Sequence, residues 1–224
     1  MVRTMAYYKS DRSDMVEFLP ETYHHVLEIG CAEGAFSSYL NSGAELWGVE
    51  MNSSVAEVAR HKMHQVLAGA YMDVADLLPD YYFDLIICND VIEHMPDCDD
   101  FLDAIRLKIA AGGYLVGSVP NVRYYRNMWS LVVGKDWKYE DSGILDRTHQ
   151  RFFTEKSLNR TLCEHGFQVL KLRGICSNLL VCTNKGSLGY LRMAMFGVLS
   201  LISLGFFWDM QYLRFGFLTR LSNQ

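Results

Sequence analysis

Glu28, Gly30, Gly34 and Glu50 are residues whose types and spacing suggest chemistry. In Val26-Leu27-Glu28-Ile29-Gly30-Cys31-Ala32-Glu33-Gly34-Ala35-Phe36, the apolar run Val26 to Ile29 reads as a strand buried on both faces. It breaks at Gly30, and a helical pattern opens at about Glu33. Glycines in such a turn let a ligand approach the backbone where a Cβ would block it. Free N–H groups at the following helix start add donors. A second run, Leu46-Trp47-Gly48-Val49, ends in Glu50. An acid there can accept hydrogen bonds from both hydroxyls of a ribose. A glycine turn alone is an ordinary βα connection. Paired with an acidic strand end ~20 residues on, it is a nucleoside-binding pattern.

A second set of residues bears on metals and anions. Asp90, Glu93, His94, Asp146 and His149 could converge in space. Hard divalent ions prefer several oxygen ligands, and no tight ligand spacing is visible, so the expectation is no metal. Arg147 and Arg151 flank His149 in a stretch, 122–151, where bases outnumber acids. Paired guanidiniums suit carboxylate or phosphate, and the interleaved aromatics Tyr124, Tyr125, Trp129, Trp137 and Tyr139 suit sugar faces. The alternative is that one arginine pairs with Asp146 and staples the segment.

Spelled E-I-G-C-A-E-G, the turn resembles motif I of the class I S-adenosylmethionine-dependent methyltransferases rather than a dinucleotide loop, which would need a third glycine. Further pieces follow in that family's order: Asp73-Val74, then Phe83 to Met95 with Asn89 and Asp90, then Gly112 to Asn121. The resemblance runs from about Val26 to Gly174. It implies S-adenosylmethionine as cofactor, held by Glu28, Gly30, Gly34, Glu50, Met51, Asp73, Val74, Asn89 and Asp90. It also implies a Rossmann-like three-layer α/β sandwich, with a seven-stranded, mostly parallel sheet and an antiparallel last strand.

Gly143 to Thr154 is similar to the D-R-T-H-x-R-F-F signature of methyltransferases of surface-glycan and secondary-metabolite pathways, and to the G-T-H element of the ubiquinone O-methyltransferases. Methyl transfer from a sulfonium is an in-line displacement that needs two reactants held at near-attack distance. A hydroxyl acceptor also needs a base. His149, in the signature, is the first candidate because an imidazole titrates near neutral pH; His94, just after the fourth strand, is the second. Asn121, Tyr124, Arg147 and Arg151 are the expected acceptor contacts. The favoured acceptor is a sugar, nucleotide sugar or glycan hydroxyl. Alternatives are an amino sugar nitrogen, a quinone or lipid at a membrane surface, and a non-catalytic subunit that keeps the fold.

At 224 residues the chain suits one domain, and 50% hydrophobic residues support a full core. A net charge of -5 argues against a nucleic-acid partner. Six cysteines without a C-x-x-C pair point to free thiols and a cytoplasmic setting, and the N-terminus has no signal-peptide core. The elements expected to position the site are a short leader helix near Asp14 to Leu19, helices at about Glu33 to Asn41, Ser54 to His64 and Asp99 to Ala110, and one capped by Thr154. Strands are expected near Val66 to Ala70, Phe83 to Cys88, Tyr114 to Val119, Gln168 to Arg173 and Met210 to Thr219, the last beside strand six. Two additions stand outside this frame, a lid at about 122–151 and a helical insertion at about 177–209. The apolar run Met193 to Trp208 falls short of the ~20 residues a bilayer-spanning helix needs, so a buried helix or a homodimer face is preferred to a membrane contact.

Overall fold

The computed structural model describes residues 12–177, 198, 205 and 207–222. Seven strands form one sheet: β1 His25–Ile29, β2 Glu45–Glu50, β3 Gln65–Ala68, β4 Phe83–Asn89, β5 Ile109–Pro120, β6 Phe167–Ser177 and β7 Tyr212–Leu221. Their order is β3-β2-β1-β4-β5-β7-β6. The first five pair in parallel, while β7 lies antiparallel between β5 and β6. The chain is thus the expected Rossmann-like α/β fold, a mostly parallel sheet with an antiparallel last strand. The helices are α1 Ser53–Ala59, the single turn α2 Tyr71–Val74, α3 Cys98–Lys108, α4 Tyr125–Val132 and α5 Glu155–Glu164.

The middle of β4, Leu85 to Cys88, is apolar because its side chains meet covered faces. In β4, Leu85 and Ile87 join the cluster of Met15, Phe18, Val26 and Val116. Their neighbours Ile86 and Cys88 join the opposite cluster with Leu27, Phe101, Leu115 and Phe217. Side chains two apart share a face of a strand, and burial on both faces is how parallel sheets exist in water.

Several elements differ from the sequence expectation for local reasons. In place of a helix from Glu33 to Asn41 there is a 3₁₀ turn, Phe36–Tyr39. The Ser37 and Ser38 hydroxyls donate to the carbonyls of Gly34 (2.7 Å) and Ala35 (2.9 Å), and such local bonds compete with helix propagation. The Asn52 side chain caps α1, accepting from the Ser54 amide at 3.1 Å, while Glu57 pairs with Arg60 instead of completing a box with Ser54. The leader is a 3₁₀ segment, Ser13–Phe18, whose buried Met15 and Phe18 pack where Gly216 of β7 has no Cβ. Thr154 caps α5 as expected, Leu158 and Leu162 are buried on that helix, and Gly166 follows at φ +77°.

Most of 193–208 lies outside the described residues, and no described helix is long and apolar enough to cross a membrane. Cys31, Cys88, Cys98 and Cys163 are free thiols, the first three buried. Cys176 and Cys182 have no described side chain.

A Cβ on Gly117 would run into the Cys88 carbonyl and lie 2.7 Å from the Phe217 ring, with backbone on one side. Gly117→Ala should therefore cost about 1–3 kcal/mol as an overpacked core position. Urea unfolding is the check; an unchanged midpoint would contradict the packing described here.

Candidate active site

At the carboxyl ends of β1, β2 and β4 lies a cleft of about 890 Å³. Its floor begins at Gly30, which holds φ +72° directly after β1, where a Cβ would sit 2.9 Å from Val91. Only a residue free of a Cβ takes this conformation and contact without strain. Glu50, at the end of β2, spends both carboxylate oxygens on the loops beside it. One accepts from the Ala32 amide (3.0 Å) and the other from the Asn52 amide (2.9 Å). These bonds fix the β1 turn against the β2 loop.

Glu28 also faces the cleft, yet it is 5% exposed and its Oε2 has no partner. Burial, and then the nearby Glu50 charge, push its carboxyl up to about 8. Asn89, at the end of β4, has both amide atoms buried and unpartnered while lining the cleft. The Tyr71 hydroxyl is in the same position. Buried polar groups of this kind are costly unless something polar completes them, so the cleft is built for a polar ligand. Met51 and Asp73 line it with exposed side chains. Gly34 and Val74 stand back from it: Gly34 holds φ +69° against Ala59, and Val74 is in the core over Gly69.

Asp90 turns the chain after β4 at φ +53°. It accepts from the Ser118 hydroxyl (2.6 Å) and pairs with Arg12 (2.6 Å) and Arg214 (3.2 Å). Arg214 also reaches Asp14 of the leader at 2.8 Å. Sequence reasoning did not find Arg12, which lines the cleft. A single arginine in a polar leader carries no local signal, because its partner is distant in the chain.

The other end of the cleft includes His94, Met95, Pro96 and Thr148. His149 stands beside it, its ring in edge contact with that of His94 at 4.6 Å between centroids. The amides of Gln150 and Arg151 both donate to the Glu93 carbonyl, at 2.7 and 3.2 Å, which brings the 143–154 signature to the loop after β4. Glu93 is 1% exposed, and one ligand atom each from Glu93, His94 and His149 lies within 4.8 Å of the others. Of the five side chains weighed from sequence as a convergent set, these three come together.

The expected acceptor contacts fare differently, and none of the four lines the cleft. Asn121 is fully buried, donating to the carbonyls of Asp209 (2.8 Å) and Tyr212 (2.9 Å) and accepting from the Arg123 amide; it pins the end of β5 to β7. Tyr124 is buried against the Tyr125 ring. Arg147 is exposed and pairs with Asp141 at 3.1 Å rather than with Asp146. Arg151 is exposed, with its charge felt at Asp97 and Cys98.

Residues 3–172 match the family model described as a methyltransferase domain, and the chain belongs to that family. It is similar to a ubiquinone biosynthesis O-methyltransferase from Coxiella burnetii, 30% identical over 156 residues, which is 67% of this chain and 66% of that protein. One of the same description from Aeromonas salmonicida is 30% identical over 159 residues, 67% of this chain and 65% of that one. The chain thus spans just under two thirds of the length of these relatives. Among solved structures, a SAM-dependent methyltransferase from Archaeoglobus fulgidus superposes with a TM-score of 0.63 at 18% identity, over 92% of this chain and 89% of that one. Another from Mesorhizobium loti gives 0.61 at 15% identity, over 92% and 95%. What the chain shares with these solved structures is the fold.

The raised carboxyl of Glu28 has a sign that can be checked. Its folded value, about 8, exceeds the ordinary 4.5. The folded state therefore keeps its full stability below about 4.5 and loses it as pH rises through about 8. Glu28→Gln, which carries no such group, should gain on the wild type by on the order of a few kcal/mol between pH 5 and pH 9. Thermal melts without cofactor across that range test this; parallel curves for the two proteins would refute the buried-acid assignment.

Proposed function

We propose that this chain transfers a methyl group from S-adenosylmethionine to a hydroxyl of a small acceptor, with a phenolic hydroxyl favoured. The observation that carries the reading is the meeting of an acid-and-amide end of the cleft with an end lined by His94, against which the His149 ring packs from beside the cleft. Glu50 and Asp73 would hold the ribose hydroxyls and the adenine amine, Gly30 would let the methionine portion approach the backbone, and Asn89 would complete the polar contacts. When bound, the cofactor supplies an electrophilic methyl on a sulfonium, activated by its own chemistry. The protein then has to orient two reactants, exclude water and relieve the acceptor of a proton.

The loops after β4 and around 143–154 do the orienting, since Glu93 ties them together at its carbonyl. The Nδ1 of His149 faces the Ile144 carbonyl at 2.9 Å. A carbonyl only accepts, so Nδ1 carries the hydrogen and Nε2 carries the lone pair. His94 is fixed likewise, its Nδ1 3.2 Å from the Thr148 carbonyl. Two imidazoles in this tautomer favour an acceptor that must lose a proton, hence oxygen over an amine.

A sugar phosphate or nucleotide sugar ranks second, because both arginines that would hold its charge stand outside the cleft. Two similar proteins are named for ubiquinone biosynthesis, which supports a ring hydroxyl as the acceptor.

Glu50→Ala should weaken S-adenosylmethionine binding more than tenfold, since a charged hydrogen-bond pair contributes about 1.5–3 kcal/mol. Calorimetry giving wild-type affinity would remove Glu50 from the ribose. His149→Ala should lower kcat by ~10²–10⁴ with cofactor affinity nearly intact. The assay follows labelled methyl into catechols, simple phenols and nucleotide sugars. Unchanged kcat would reduce His149 to a structural role, and transfer confined to nucleotide sugars would reverse the acceptor ranking.

A further inference from the structure

We infer that Glu28 lets the cleft tell the cationic cofactor from its spent form, holding a proton in the free protein and releasing it to solvent when the cofactor's positive charge arrives. This role rests on the reading above, in which S-adenosylmethionine occupies the cleft. Glu28 is housed in a way that suits it. The residue stands on β1 between Gly48 of β2 and Ile87 of β4, lines the cleft and is 5% exposed. Its Oε2 has no hydrogen-bond partner, and no described basic side chain forms an ion pair with it. Glu50 lines the same cleft, but both of its oxygens are taken by backbone amides. Arg12 is there too, with its guanidinium on Asp90 at 2.6 Å.

The other titratable groups around Glu28 are thiols, acids, a phenol and an imidazole. Cys31, in the turn after β1, and Cys88, on β4, are thiols pushed up by burial first and then by the Glu28 charge; Glu50 also acts on Cys31, and Glu93 on Cys88. Asp73, Asp90 and Tyr71 line the cleft, and His94 lines its other end with Nδ1 against the Thr148 carbonyl. A carboxylate out of water, without a donor and beside a second carboxylate, takes up a proton. Its value of about 8 agrees with that housing. A cation brought by a ligand reverses the balance, because an opposite charge within ~4–6 Å favours the ionised form.

S-adenosylmethionine carries a sulfonium, an ammonium and a carboxylate, so its net charge is positive. Once the methyl has left, the sulfur is an uncharged thioether and only the amino-acid pair of charges remains. Ionised Glu28 therefore stabilises the cofactor more than S-adenosylhomocysteine. Linkage is reciprocal: the factor by which the cation favours ionised Glu28 is the factor by which ionised Glu28 favours the cation. With the sulfonium charge gone, Glu28 takes a proton back from solvent water. The carboxylate then no longer holds the spent form, which a permanently charged acid would do.

The test is calorimetric titration of the whole chain with S-adenosylmethionine near pH 7, in two buffers of different ionisation enthalpy, which counts the protons released on binding. Wild type should release about half to one proton more than Glu28→Gln. Any proton lost by the ligand itself is common to both proteins and cancels. Affinities for S-adenosylmethionine and S-adenosylhomocysteine between pH 6.5 and 8.5 give a second readout. In wild type the preference for S-adenosylmethionine should grow with pH by on the order of tenfold, levelling above about pH 8, while in Glu28→Gln it stays within about twofold. Equal proton counts in the two proteins would overturn the role of Glu28 and leave the methyltransferase reading standing. So would a wild-type preference that does not change with pH, a result that needs no variant to fold. Wild type that binds no S-adenosylmethionine at any pH would overturn both.

Discussion

The carbonyl oxygen of Glu93 receives two backbone amides, from Gln150 and Arg151, and the acceptor end of the cleft depends on that junction. Residues 122–151 leave the sheet after β5 and carry α4, none of whose side chains is buried. Outside that helix, Tyr124, Ile144 and Leu145 of the segment are buried. Backbone ties it as well: Val122 donates to the Phe153 carbonyl at 3.0 Å, Asn121 bridges Phe153, and Glu140 bridges Asp146 within the segment. With these bonds made, His149 meets His94 and Thr148 enters the cleft wall. Specific hydrogen bonds here add to the apolar burial of Tyr124, Ile144 and Leu145.

The cofactor end is built on a contrast between two acids that share a small volume. Glu50 is surrounded by donors, because the loops after β1 and β2 each aim an amide at it. Glu28, one strand over, is buried where its Oε2 finds no donor, and burial favours its protonated form. A neutral acid next to an amide-bound one avoids placing two charges in low dielectric. It also leaves Glu28 able to donate a hydrogen bond into the cleft.

Much of this was legible in the sequence. The apolar run of β4, the capped helix from Thr154 and the antiparallel strand near residue 215 follow from periodicity, capping chemistry and the resemblance to a known family. Gly30 and Glu50 were legible because a turn and a strand end are local. The serine pair that cuts short the helix after Gly34 was written in the residues but needs weighing against helical periodicity, and periodicity alone misleads. What was not legible is long-range. Arg12 with Asp90, and Asn121 acting as a pin between strands, depend on residues that only the fold makes neighbours. Basic residues near a histidine suggested an anion site, yet Arg147 found an exposed partner in Asp141. Charge near a site in sequence is a weak guide to charge in it.

The placement of β7 has a consequence for how the chain is made. β6 is synthesised before β7, yet its partner in the sheet is β7, which also covers the exposed side of β5. Until residues 212–221 emerge from the ribosome, β5 presents an unpaired edge and β6 has nothing to pair with. Unpaired edges of this kind recruit other strands. Closing the gap inserts a late strand between two earlier ones, a pairing of long sequence separation and so a slow one. The first five strands can assemble in the order they appear, whereas the last two must arrive together. Growing chains are therefore most exposed to mispairing in the interval between β6 and β7, a hazard set by topology rather than by any single residue.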